Sequence, residues 1–149
     1  MPQIYVVQTG SVALVAATAK TVLGLATPST QDAQLIKVRF SFDGSISTGA
    51  NVKVELLTWT ADGTGTSITP FLYGENQQKA ALSTAKGAYS AEPTSITVRD
   101  VFWLPPNVAP YSEYDPLGQE LELPESKFYG WRLTSPSANN VAITAWIKE

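Results

Sequence analysis

The chain has 149 residues, 44% hydrophobic and 15% charged, with a net charge of −3; that length suits one domain burying roughly two-thirds of its unfolded surface. It contains no cysteine and no histidine, which excludes disulfides, thiolate metal sites, the Ser–His–Asp triad and the commonest transition-metal ligand. The acidic balance and singly scattered basic residues argue against nucleic-acid binding driven by phosphate neutralisation, and no apolar run of about 18 residues is present to span a membrane.

Pro2-Gln-Ile-Tyr-Val-Val-Gln8 is β-branched and aromatic and ends at Thr9-Gly10. Residues 1–10 therefore read as an extended N-terminal arm or edge strand, ahead of a single domain over 11–149. Val12 to Ala19 reads as two short extended pieces; the Ala-, Val- and Leu-rich segment Val12 to Ala26 has no basic stretch ahead of it, so a signal peptide is not expected. Leu35 to Asp43 is the clearest strand. Ile36, Val38, Phe40 and Phe42 are predicted to face inward, with Lys37, Arg39 and Ser41 outward, before a turn at Asp43-Gly-Ser45. Asn51 to Thr60 repeats the alternation, with Val52, Val54 and Leu56 inward. Leu57 and Trp59 fall on its outward face, which must then be covered at that end.

Residues 63–95 are rich in Ser, Thr, Gly and Ala and read as a long irregular segment. Ser95 to Leu104 returns to strand and stops at Pro105-Pro106. Asn107 to Leu117 is expected to be a stiff aromatic loop. Leu117 to Pro124 alternates again, with Leu121 and Leu123 inward and Glu120 and Glu122 outward. At the end, Tyr129, Trp131 and Leu133 share one face, and Val141, Ile143, Ala145 and Ile147 share another. The turn-forming Ser135-Pro-Ser-Ala-Asn-Asn140 between them predicts a hairpin. About eight strands with Gly, Pro and Asn turns and no helix predict an all-β fold, an antiparallel β-sandwich of jelly-roll type.

Little in the chain suggests reactive chemistry, and no enzyme activity is expected. Ser83-Thr-Ala-Lys86 is a poor Ser–Lys pair, set in a polar stretch. Glu120 and Glu122 lie two apart on one strand face, a spacing compatible with paired-carboxylate chemistry and equally with a solvated face. The span Glu113 to Glu125 is better read as an acidic patch for a basic partner. Asp62-Gly-Thr-Gly65 offers one carboxylate where calcium loops use several, so it reads as a turn, and neither metal nor cofactor is expected. The aromatics Trp59, Trp103, Trp146, Tyr111 and Tyr114 fall at strand ends or in loops. They suit a sugar-stacking platform, a protein interface or loop anchoring.

Several segments together resemble small structural proteins of tailed bacteriophages. They are Ala17 to Leu25, Phe42-Asp-Gly44, Val52 to Leu57, Ala91-Glu-Pro-Thr94, Pro116 to Glu120 and the ending from Gly130 to Glu149. The resemblance covers most of the chain and is weakest over 63–90. It implies a head decoration (cement) protein on the outer capsid surface of the virion, soluble in the host cytoplasm before assembly. Its implied partners are the major capsid protein and itself, as a homotrimer; a tail or baseplate protein and a carbohydrate-binding or adhesin-like module are the alternatives. The resemblance brings no catalytic signature. Strand addition by Ile4, Tyr5, Val6 and Val7 to a neighbour's open sheet edge is the expected mechanism, with Trp59, Trp103, Tyr111, Tyr114, Glu120 and Glu122 as further interface residues.

Overall fold

Alternation of apolar and polar residues is realised as strands throughout the computed structural model, which describes residues 2–43, 50–74, 79–107, 109–116 and 118–149. The expected turn residues Gly44 and Ser45, and the expected strand start at Leu117, lie outside the described residues. The strands are β1 (Ile4–Gln8), β2 (Val12–Leu14), β3 (Ala19–Ala26), β4 (Ala33–Phe42), β5 (Val52–Trp59), β6 (Thr64–Ile68), β7 (Phe71–Leu72), β8 (Thr84–Ala91), β9 (Thr97–Leu104), β10 (Tyr111–Tyr114), β11 (Leu121–Leu123), β12 (Phe128–Thr134) and β13 (Asn139–Lys148). No helix occurs among the described residues, so none is long and apolar enough to cross a membrane.

Among the described residues all strand pairing is antiparallel and forms two sheets. The first runs β10-β4-β13-β1-β7, with β11 also on β4 and β2 also on β13; the second runs β6-β8-β3-β12-β5-β9. Their inner faces share one core in a β-sandwich. Phe40, Val38, Ile143 and Ile147 come from the first sheet, and Val54, Leu23, Leu133 and Trp131 from the second.

Among the described residues thirteen strands replace the expected eight or so, chiefly because the segment read as irregular holds β6, β7 and β8. β6 and β8 are built mainly of polar or small residues, and β7 is only the dipeptide Phe71–Leu72. Their backbone groups are satisfied by pairing, β6 on β8 and β8 on β3, while little apolar surface is buried to mark them in the sequence. The stretch expected as an aromatic loop likewise contains β10, which pairs along β4.

The C-terminal hairpin is not formed. β12 pairs with β3 and β5 in the second sheet, and β13 with β1, β2 and β4 in the first, so residues 135–138 cross between sheets. The predicted faces hold, since alternation reports which side is buried but not which strand lies alongside.

The N-terminus is likewise no free arm. β1 lies between β13 and β7, with Tyr5 and Val7 in the core and Gln3 and Glu149 exchanging backbone hydrogen bonds of 2.9 and 3.0 Å. In β4, the pairing with β13 slips at Ile36: Lys37 lies opposite Trp146 and Leu35 opposite Ile147. That bulge moves Leu35 into the core and turns Ile36, expected inward, away from it.

The covered outward face of β5 has a specific lid. Leu57, Trp59 and Tyr89 form a second small core, with Ile96 and Phe128 packed against it. Trp59 stacks on Phe128 at 6.1 Å and meets Tyr89 edge-on at 6.1 Å. A Cβ at Gly24 would collide with Tyr89, and one at Gly130 with the Trp59 ring and the Leu23 carbonyl, so these glycines make room for the two rings on the sheet. Trp59 is thus a buried anchor rather than the interface aromatic expected of it.

Asp62 ties this lid together. It accepts from Trp59 Nε1 at 3.0 Å, Tyr89 OH at 3.1 Å and Lys86 Nζ at 2.6 Å. Burial would raise its pKa, but the hydrogen bonds from Lys86, Trp59 and Tyr89 outweigh it and hold the carboxyl below its ordinary value. Nearby, Glu55 is buried on the same outer face and bonded by Arg132 Nε at 2.8 Å and Lys53 Nζ at 3.1 Å. There too burial pushes the pKa up and the two cations bring it below normal.

Candidate functional site

The outer face of the first sheet gathers exposed and half-buried aromatic and cationic side chains. Register places Tyr114 opposite Lys37, Lys37 opposite Trp146, Trp146 opposite Val6, and Val6 opposite Phe71. One row thus crosses all five strands from β10 to β7. Cross-strand neighbours on one face lie close enough to interact directly. Lys37 Nζ sits 4.2 Å from the Tyr114 ring centroid and 4.6 Å from that of Trp146, and it donates to the Tyr114 hydroxyl. The Arg39 guanidinium lies 5.4 Å from the Trp146 ring. Such cation–π contacts are worth about 0.5–1 kcal/mol each at exposed sites.

The Ile36 bulge adds an apolar side chain beside Lys37. With Ile4, Tyr73, Tyr114 and Trp146 these two line an open hollow of about 200 Å³. Tyr114 is 64% exposed, Tyr73 66% and Phe71 52%. A soluble monomer rarely leaves so many contiguous large apolar side chains in water unless the patch is used.

A second hollow, of about 160 Å³, opens at the seam between β9 and β10. Its floor is apolar, formed by Leu35, Val38, Leu56, Phe102, Leu121 and Trp131, and Asp100, Glu113 and Asp115 stand at its rim. Burial, then the charges of Asp115 and Asp100, raise the Glu113 pKa. Among the described residues, no group of three or more side chains is arranged to hold a metal ion.

The residues singled out from the sequence do not form one site. Ile4, Val6 and Tyr114 join the outer face of the first sheet; Tyr5, Val7 and Trp59 are core. Trp103 is exposed on the outer face of the second sheet, opposite Lys53. Tyr111, opposite Phe40, turns into the seam, with ring centroids 6.5 Å from Phe40 and 5.9 Å from Phe102. Trp103 and Tyr111 therefore offer no common platform. Glu122 projects from β11, while Glu120 precedes that strand and accepts from the Gly118 amide at 2.8 Å. The patch residues not singled out, Lys37, Arg39, Ile36, Phe71 and Tyr73, could be found only with the register. Alternation alone put Lys37 on an outward face without showing that it touches Trp146.

No protein-family model matches the chain, and no curated protein matches it. Among solved structures, VP17, a capsid protein of bacteriophage P23-77, aligns over 98% of this chain and 81% of that chain, at 10% sequence identity and a TM-score of 0.15. A superposition this loose establishes no common fold.

Proposed function

We propose that the protein is a non-enzymatic structural component of a phage virion, decorating or cementing the outer capsid surface through contacts with the major capsid protein. The chain would be soluble in the host cytoplasm before assembly and would act without cofactor, nucleic acid or membrane. The observation that carries this reading is the row Tyr114–Lys37–Trp146–Val6–Phe71, exposed at its two ends and half-buried between them, an aromatic and cationic surface of the composition favoured in protein interfaces. The segments that resemble phage structural proteins support it independently. So does the succession of strands, which passes repeatedly from one sheet to the other in the manner we read as jelly-roll-like. A sugar platform has less to stand on, because Lys37 and Arg39 already occupy the Trp146 ring.

The mechanism differs from arm exchange, because β1 completes its own sheet. Contact is instead through a preformed face, which minimises the ordering cost of association. The test is gradient co-sedimentation of the purified chain with phage heads that lack it. The wild type should saturate the heads, while Trp146→Ser and Tyr114→Ser should bind poorly with unchanged folding. Equal binding by the folded variants would refute this use of the face, and recovery on tails alone would move the protein to the tail.

A further inference from the structure

The second sheet ends on an unusually long and apolar edge. β9 has eight residues and, among the described residues, pairs only with β5, against five residues in the edge strand β6 and four in β10. Val98, Val101 and Trp103 on it are all exposed. They lie opposite Leu57, Glu55 and Lys53, so all three share the outer face; the register slip that leaves Arg99 extra keeps Val98 and Val101 on one side. An open strand edge presents unpaired backbone groups and invites another strand, and proteins ordinarily blunt such edges with bulges and charges. β9 has both, at Arg99 and Asp100. Those two charges are of opposite sign and adjacent, so an antiparallel copy of the same strand meets each with its opposite.

We propose that β9 pairs antiparallel with β9 of a second copy, about a two-fold axis at the Arg99–Asp100 peptide. In that register Arg99 of each copy faces Asp100 of the other, and Val98 faces Val101. The facing residues share a sheet face in both copies, as antiparallel pairing requires. The valines then form one apolar stripe across the junction, and the second sheets of the two copies become continuous.

Both charges are available for this. Arg99 Nε donates to Thr58 Oγ1 at 3.1 Å and Asp100 Oδ1 accepts from the Val101 amide at 2.8 Å. Neither residue enters an ion pair among the described residues. The contact is isologous, as in most soluble dimers, and it replaces the trimer that the sequence resemblance implies. It lies on the opposite sheet from the aromatic row and stands whether or not the chain belongs to a virion.

The experiment is light scattering and sedimentation of the purified full chain with the single variants Arg99→Asp and Asp100→Arg. Wild type should be dimeric at micromolar concentration. Each variant places like charges opposite each other twice, and should weaken self-association by at least about tenfold. An equimolar mixture of the two variants restores both opposite-sign pairs, so it should form dimers where neither variant alone does. Circular dichroism checks that the variants fold. If they do not, amide exchange of the wild type must show protection of residues 97–102 that increases with protein concentration. A monomeric or trimeric wild type, a mixture no more dimeric than its components, or exchange at 97–102 independent of concentration would each overturn the proposal.

Discussion

Replacing Asp62 by alanine should open the lid over the second sheet, and replacing it by asparagine should not. Trp59 and Tyr89 are 3% and 4% exposed, and Asp62 Oδ1 is 3.0 and 3.1 Å from their polar hydrogens' parent atoms. Alanine leaves both donors buried without an acceptor. At about 1–3 kcal/mol for each such group, the loss is about 2–6 kcal/mol. Lys86 and the Gly63 amide regain water and add little. Asparagine keeps an oxygen for both donors and loses only the charge on Lys86, a partly exposed pair worth about 1 kcal/mol or less.

The pH dependence separates the variants further. Asp62 titrates below its ordinary value in the folded chain, so its contribution is complete above the unfolded carboxyl pKa of about 4. It is lost as pH falls through the lower folded value. The stability gap between wild type and Asp62→Asn should therefore close under acid. Urea unfolding followed by tryptophan fluorescence at neutral and acid pH measures both effects. Equal losses for the alanine and asparagine variants at neutral pH would refute the hub role of Asp62.

Gly130→Ala should destabilise by about 1–3 kcal/mol and perturb tryptophan fluorescence, because its Cβ meets the Leu23 carbonyl and the Trp59 ring; thermal melts would check it. Arg132→Met should cost about 2–4 kcal/mol at neutral pH by leaving buried Glu55 to Lys53 alone. That cost should shrink as acid protonates Glu55, which denaturant curves at two pH values would show. Deleting residues 1–8 should abolish soluble folding, not merely assembly, since Tyr5 and Val7 leave the core. Circular dichroism of a well-folded truncation would contradict that.

Much of the sandwich was legible because one-sided burial writes itself as alternation. β4, β5 and the faces of β12 and β13 were read almost residue by residue. The uncovered end of β5, with Leu57 and Trp59 outward, correctly called for a lid. What stayed hidden depends on neighbours. Alternation in β12 and β13 is identical whether the strands form a hairpin or cross between sheets. A short apolar run such as Ile4–Val7 does not state whose sheet it joins. One extra residue at Ile36 reverses the faces beyond it, and no local signal marks it. Strands such as Thr64–Ile68 are held by backbone pairing, so composition made them look like loop. The candidate face suffered most, since its members come from β1, β4, β7, β10 and β13 and meet only through register.

The most direct measurement for the proposed virion role is quantitative mass spectrometry of gradient-purified phage particles produced in cells that express this chain. The account predicts that the protein is present at a fixed ratio to the major capsid subunit and is released from intact heads without loss of their nucleic acid. Its absence from purified particles, or its presence only in trace and varying amounts, would contradict a structural role in the virion.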